Sequence, residues 1–215
     1  MYMPPQFNST DRAVALELMR AHPFASLVST DDEGLPFVTH LPLVPDDRGD
    51  GALSLLGHCA RPNPHWRYLQ ARPKALVSFL GPHAYMSPSV YPDLARVPTW
   101  NYLAVHCTVE ARLIETPVDK DALLKRLIGQ HDPAYARQWT ELGEEFQQKM
   151  LRGIVGFELR VTALQCKLKL NQHRPESHAA MHARYSVGSP DEQALAGWMK
   201  RLGMDVTGAI SAAEH

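Results

Sequence analysis

Three short stretches of this 215-residue chain hold the residue types best suited to chemistry. In Gly57-His-Cys-Ala-Arg-Pro-Asn-Pro-His-Trp66 an apolar run ends and a helix start follows. Backbone N–H groups at a helix start lack partners and carry partial positive charge, so they suit an anion. His58, Arg61 and Asn63 would add side-chain donors around it. The same pattern also reads as an Asn cap, with Pro at the first helical position and an exposed arginine. The second stretch, Leu164 to His173, alternates: Leu164, Cys166, Leu168 and Leu170 fall on one face, and Gln165, Lys167, Lys169 and Asn171 on the other. Either the lysines of a half-buried strand stand in water, or two ammonium groups and two amides face a phosphate, which needs charge-assisted donors to offset its lost hydration. The third stretch, Gly81 to Tyr102, holds prolines at 82, 88, 92 and 98 with Tyr85, Tyr91, Trp100 and Tyr102. Proline fixes φ and lowers the entropy cost of holding a loop still, while Tyr and Trp offer flat faces with polar edges. This segment reads as a stiff wall against a planar ring, or as a loop stapled to its own core. Trp100 and Tyr102 should share one strand face and Asn101 the other.

Other chemistries find less support. The chain has 11 histidines, of which His178 and His182 are four apart and would meet on one helix turn. A metal needs a third ligand, and neither an HExxH motif nor a Cys-rich partner occurs, so a solvated helix face and no metal site are expected. GxSxG, P-loop and GxGxxG motifs are absent from the sequence. No catalytic acid or base is assigned. A net charge of -1 gives no long-range pull towards nucleic acid or an anionic membrane. Cys59, Cys107 and Cys166 are far apart and form no CxxC pair, which suits a reducing compartment. The N-terminus lacks a basic segment followed by an apolar one, and no apolar run approaches the ~20 residues that span a bilayer. The expectation is a soluble cytoplasmic protein.

The elements that must position these residues are mostly strands. Asn8 to Asp11 can start a helix that ends near His22-Pro23. Phe24 to Ser29 and Pro36 to Val44, joined at Asp31-Asp-Glu-Gly34, read as a hairpin. After a polar turn from Asp46 to Gly51, Ala52 to Gly57 is a third strand, Asn63 to Ala71 a short helix, Ala75 to Leu80 a fourth strand and Tyr102 to Ile114 a fifth. Helices follow over Val118–Gln130, Pro133–Trp139 and Glu144–Leu151, then strand character over Gly153–Leu170. A terminal helix starts at Ser189-Pro-Asp-Glu192. Strands joined by tight turns imply an antiparallel sheet, and a nearly closed barrel removes most exposed edges.

Seven segments in order resemble one family: MYMPPQF at the start, THLPL (Thr39 to Leu43), GH-x-A-x-x-NP-x-W (Gly57 to Trp66), GPHAYMSPSVY (Gly81 to Tyr91), VPTWNY-x-AVH (Val97 to His106), GIVGFE (Gly153 to Glu158) and Lys169-Leu170 with Gln172 to Arg174. They look like the PaiB-type FMN-binding proteins, which carry the label of negative transcriptional regulators. The resemblance runs from Met1 to about Arg174 and is weaker beyond Tyr185. It implies an α+β fold built on an FMN-binding split β-barrel related to pyridoxamine phosphate oxidases, with peripheral helices. It also implies a homodimer with FMN at the subunit interface. Residues 1–174 would form the barrel domain, with a helical insertion at about 117–151, and 175–215 a helical extension packed on it. By the family pattern Thr39, His40 and Leu41 line the flavin, and His58, Ala60, Arg61 and Asn63 approach its phosphate. Lys167, Lys169 and Asn171 complete the site, and Trp100 and Tyr102 sit near the ring or the interface. One departure is His173, where the family pattern KLSQNR has asparagine; no role is assigned to it. Direct DNA binding has thin support, since Lys200-Arg201 is the one basic doublet in the terminal helix. Two alternatives keep the barrel: an FMN-dependent oxidoreductase of flavin-reductase type, and a haem-binding protein with His173, His178 or His182 on the iron.

Overall fold

The computed structural model describes residues 1–49, 51–93 and 95–205. Among them, eight strands form one sheet in the order β3-β2-β6-β7-β8-β5-β4, with β1 pairing β8. The chain divides into two compact units, Arg12–Phe79 with Val105–Gln165, and Met1–Asp11 with Leu80–Ala104 and the chain from Cys166 onward. The three longest strands, β6 (Lys74–Met86), β7 (Thr99–Ile114) and β8 (Ile154–Lys169), each begin in one unit and end in the other.

In the larger unit, β2 (Phe24–Thr30) and β3 (Pro36–Pro42) pair antiparallel from Phe24 against Pro42 to Thr30 against Pro36. Their turn is built by Asp31, whose Oδ1 accepts from the N–H of Glu33 (2.9 Å) and Leu35 (2.8 Å). Gly34 there takes φ +84, where a Cβ would be strained. Next, β4 (Val44–Asp47) pairs with β5 (Leu53–Ala60). The preceding helix α1 (Arg12–Ala21) buries Ala15, Leu16, Leu18 and Met19. Leu27, Leu55, Phe79, Val105, Phe157 and Leu159 are at most 1% exposed and form the centre of the core. After β7 come α3 (Pro117–His131), α4 (Tyr135–Glu141) and α5 (Glu144–Arg152). Thr116 caps α3 by accepting from the Asp119 N–H. A satellite cluster of Val44, Leu56, Ile114, Leu123 and Leu127 seats α3.

Gly156 of β8 makes that seating possible. A Cβ added there would lie 2.7 Å from Leu123 Cδ2 and 3.2 Å from Ile114 Cβ. The strand atom cannot yield as a side-chain tip can, so Gly156→Ala is expected to cost about 1–3 kcal/mol through overpacking. Urea unfolding of the variant checks this; an unchanged midpoint would mean that α3 moves aside freely.

In the smaller unit, the two residues of β1 (Asn8–Ser9) pair with Lys167 and Cys166. Helices α6 (His178–Ser186) and α7 (Pro190–Arg201) follow β8. A capping box starts α7: Ser189 Oγ accepts from the Glu192 N–H, and Glu192 accepts from the Ser189 N–H. Met86, Leu103, Leu170, Met181, Tyr185, Leu195 and Met199 are fully buried.

Two segments differ from their sequence reading. The first six residues of the proline-rich stretch, Gly81 to Met86, continue β6 rather than forming a loop. Proline lacks a ladder donor, and the register of β6 with β2 ends at Ser78, so Pro82 lies beyond that pairing. Asp46 and Asp47 read as a polar turn but lie in β4. Their charges are met by distant cations: Asp46 accepts from Arg126 at 3.0 and 2.6 Å, and Asp47 from Arg12 at 3.1 and 3.2 Å. Both carboxyls are held below the usual carboxylate range, chiefly by these arginine hydrogen bonds.

Candidate functional site

The expected site residues form two clusters, one in each unit. In the larger unit the centre is Thr39, on β3. Asn63 Nδ2 donates to Thr39 Oγ1 at 3.1 Å, and His65 Nδ1 meets the same oxygen at 2.7 Å. Asn63 Oδ1 in turn accepts from the His65 N–H at 3.0 Å, but the N-cap position of the helix α2 (His65–Ala71) is Pro64, which makes no side-chain cap bond, so Asn63 stands one residue ahead of the expected cap position. With His65 in the Nδ1–H tautomer, Thr39 accepts twice and its own hydroxyl hydrogen is left for a ligand. His65 is 1% exposed, packed edge-on against Phe37, and its Nε2 has no partner among the described residues. Sequence reasoning passed over His65; the one signal for it was its place two residues after Asn63.

The remaining members of this set divide. Strand alternation puts Leu41 in the core at 5% exposure and His40 outside, where its Nδ1 meets Ser26 Oγ at 3.0 Å. His58, near the end of β5, keeps a buried Nδ1 without a partner among the described residues, and burial pushes its pKa down. A neutral imidazole there offers a hydrogen bond rather than a charge. Ala60 is exposed and its carbonyl accepts from the Asn63 N–H. Arg61 is not gathered around Thr39: its Nε and Nη2 donate to the carbonyls of Arg152 (3.1 Å) and Ile154 (3.4 Å).

Burial also pushes the His65 pKa down, to about 4. An unfolded histidine titrates near 6.5. Between these values the unfolded chain binds the extra proton, so stability rises with pH there and is lost as pH falls from 6.5 towards 4. Acidification from pH 7 to 5 should therefore remove on the order of 2 kcal/mol through this residue. An NMR titration of the His65 ring gives the midpoint; a value near 6.5 would remove the effect.

In the smaller unit Lys167 and Lys169 bracket one ring. Lys167 Nζ lies 5.2 Å and Lys169 Nζ 5.9 Å from the Tyr102 ring centroid. Lys167 is 5% exposed and donates to the Tyr2 carbonyl at 3.0 Å. Lys169 donates to Thr99 Oγ1 at 2.6 Å and to the Trp100 carbonyl. Burial, and then the charge of Lys167, push the Lys169 pKa down. Neither lysine meets a carboxylate among the described residues. Such a pair lacks its counter-charge, and an anion is the group that would supply it.

Asn171 does not join this face. The strand ends at Lys169, and Asn171 turns into the left-handed region at φ 61. Its amide donates to Tyr91 Oη at 2.8 Å, and its carbonyl meets His178 Nε2 at 3.1 Å. Asn101 and Trp100 fall on opposite faces as expected, Asn101 fully buried and Trp100 half exposed. Trp100 Nε1 donates to His83 Nδ1 at 3.3 Å, and the Tyr85 ring stands 6.3 Å away. That exposed aromatic set can pack on a flat ring.

In the smaller unit, two strand cations without a carboxylate beside exposed aromatics suit an anion joined to a planar ring system; in the larger unit, taken by itself, the Thr39 hydroxyl and the Asn63 amide keep hydrogens for a ligand. The class so defined is a flavin-binding split-barrel protein. Residues 1–163 match the family model described as "Putative FMN-binding domain". The chain belongs to this FMN-binding family, and its cofactor is FMN. Over 182 residues it is 36% identical to "Protease synthase and sporulation protein PAI 2" of Bacillus subtilis (strain 168), covering 82% of this chain and 84% of that one. Two solved structures share the fold. The flavocytochrome Anf3 from Azotobacter vinelandii matches with a TM-score of 0.58 at 16% identity, over 77% of this chain and 70% of its own. The FAD and heme binding protein from Mycobacterium smegmatis matches with a TM-score of 0.58 at 19% identity, over 75% of this chain and 73% of its own. The fold class and the cofactor implied by the sequence motifs are thereby borne out. Among the described residues, no helix is long and apolar enough to cross a membrane.

Proposed function

We propose that this chain works in the cytoplasm as a homodimer with FMN at the subunit interface, and that it regulates gene expression in the PaiB manner with the redox state of the flavin as its signal. The observation that carries the flavin part is the Lys167–Tyr102–Lys169 face, two cations without a carboxylate beside a flat ring. In this reading that face neutralises the phosphate of the flavin held by the partner, while Thr39, His58 and Asn63 supply uncharged hydrogen bonds within their own protomer. Trp100 and Tyr102 shelter the ring. When bound, FMN supplies electron-transfer chemistry; the chain's residues bind it, orient it and keep water from part of it. Residues 1–174 act as the flavin domain, the helices at about 117–151 as an insertion, and the segment from 175 as an extension.

The regulatory part rests on the family label and on the name of the Bacillus subtilis relative. With a net charge of -1 the chain has no overall positive charge to draw it to DNA, so regulation is proposed to run through another partner. The test begins with an absorbance spectrum and a mass measurement of protein loaded with FMN. Flavin bands near roughly 450 nm in a dimer support the reading, and an intense Soret band or a flavin-free monomer overturns it. A gel shift that falls steeply with salt would restore direct DNA binding. Loss of NADH or NADPH absorbance under air would replace the sensing role by a reductase.

A further inference from the structure

A cavity of ≈ 360 Å³ in the larger unit, whose lining includes none of Thr39, Asn63 and His65, has Arg61, Glu115, Lys120, Gln148, Leu151 and Arg152 in its wall. Lys120 is the unusual member. It lies on α3, is 4% exposed, and donates to the carbonyls of Leu151 and Ile154, both at 3.0 Å. The Leu151 carbonyl lies in the last turn of α5, where a helix carries partial negative charge, and the Ile154 carbonyl opens β8, so the ammonium ties the helix end to the strand. An ammonium has three hydrogens, and these two bonds use two of them. Arg61 spends Nε and Nη2 on the carbonyls of Arg152 and Ile154 and keeps further N–H groups. Among the described residues, the Arg152 side chain has neither a hydrogen bond nor an ion pair, and none of the three cations is ion-paired. Burial, and then the charge of Arg61, push the Lys120 pKa down, against a smaller opposite pull from Glu115.

Three cations and one carboxylate leave the cavity wall with a surplus of two positive charges. From this geometry we infer a second anion site, separate from the flavin, that takes the phosphate of a small phosphate monoester. A phosphate dianion neutralises the surplus, whereas a single carboxylate leaves half of it. Guanidinium forks from Arg61 and Arg152 and the third Lys120 hydrogen are donors of the kind that bind phosphate oxygens. Leu151 gives the cavity an apolar wall for the organic part of the ligand. Bound phosphate would tie α3 and α5 to the end of β5, which is how such a ligand would report on the state of the protein.

The experiment uses the full chain saturated with FMN, with inorganic phosphate as the probe and ionic strength held constant with chloride. The unfolding temperature is expected to rise with phosphate concentration, and to rise less with acetate. Arg152→Gln alters an exposed side chain without a partner among the described residues, so it should fold normally and weaken phosphate at least tenfold. Lys120→Gln should weaken it as well, with some loss of basal stability because the tie between α5 and β8 is lost. A wild-type curve that ignores phosphate overturns the inference, as does an Arg152→Gln curve identical to wild type, or acetate as effective as phosphate. If the phosphate response is present without FMN and vanishes on saturation with it, the cavity is the flavin's own phosphate site and the separate site falls. Failure of FMN to bind at all sinks the flavin reading alone, because the phosphate response is measured independently.

Discussion

Tyr185→Phe should destabilise the smaller unit by about 1–3 kcal/mol, although it removes a single oxygen. Tyr185 is fully buried, and its Oη accepts from Asn101 Nδ2 at 3.0 Å. It also stands 3.4 Å from the Tyr85 carbonyl, to which it donates. Burial pushes the phenol pKa up to about 12, so it remains a neutral donor across the working range. Asn101 is itself fully buried, and its Oδ1 already lacks a partner among the described residues. Without the tyrosine oxygen, its amide would keep only the weak contact to Met181 Sδ at 3.2 Å. The cost is therefore that of a stranded buried donor, not of one ordinary hydrogen bond. It follows that Asn101→Leu in the Tyr185→Phe background should regain much of the loss, since removing both polar partners can be nearly neutral. Tyr185→Ala, which also opens a cavity, should cost about 3–5 kcal/mol. Urea unfolding of the four proteins of the cycle reads the coupling directly. Additive effects of the two substitutions would show that the pair does not act as a unit.

That pair also shows where sequence reading succeeds and where it stops. Signals confined to a few neighbouring residues were legible. Asp31 to Gly34 marks the β2–β3 turn, Thr116-Pro117 starts α3, and Ser189 with Glu192 starts α7, because each works through its own backbone. Period-two alternation likewise put Asn101 opposite Trp100 and Tyr102. What stayed hidden depends on partners far along the chain. Asp46 finds Arg126 across 80 residues, and Asn101 finds Tyr185 across 84. Locally, the first reads as a turn aspartate and the second as an unremarkable strand polar residue. Pro82 misled for the same reason: whether a strand tolerates proline depends on its neighbour strand, which local composition does not report. In the candidate site, the family motifs name residues but not the hydrogen bonds those residues make. Arg61 lies inside the motif yet turns to Arg152 and Ile154. His65, which carries no charge at neutral pH, holds Thr39 from the core side.

The largest functional effect is expected from the lysine pair. Replacing both Lys167 and Lys169 by methionine should weaken FMN at least 100-fold, and each single replacement at least tenfold. A hydrogen bond to a charged group is worth about 1.5–3 kcal/mol, and each ~1.4 kcal/mol is tenfold in affinity. Methionine keeps most of the apolar stem that packs against Tyr102 and removes only the ammonium. The lysines also have structural partners, the Tyr2 carbonyl for Lys167 and Thr99 with the Trp100 carbonyl for Lys169. Some loss of stability is therefore expected, and weaker FMN binding alone would not isolate the phosphate. Riboflavin, which has the same ring and no phosphate, makes the separation. If the lysines neutralise phosphate, the variants lose FMN affinity and its salt dependence while riboflavin affinity changes less than twofold. If the lysines merely hold the strand and its loop in place, both ligands weaken together and the electrostatic assignment fails. FMN affinity within twofold of wild type in the double variant would remove the pair from the flavin site altogether.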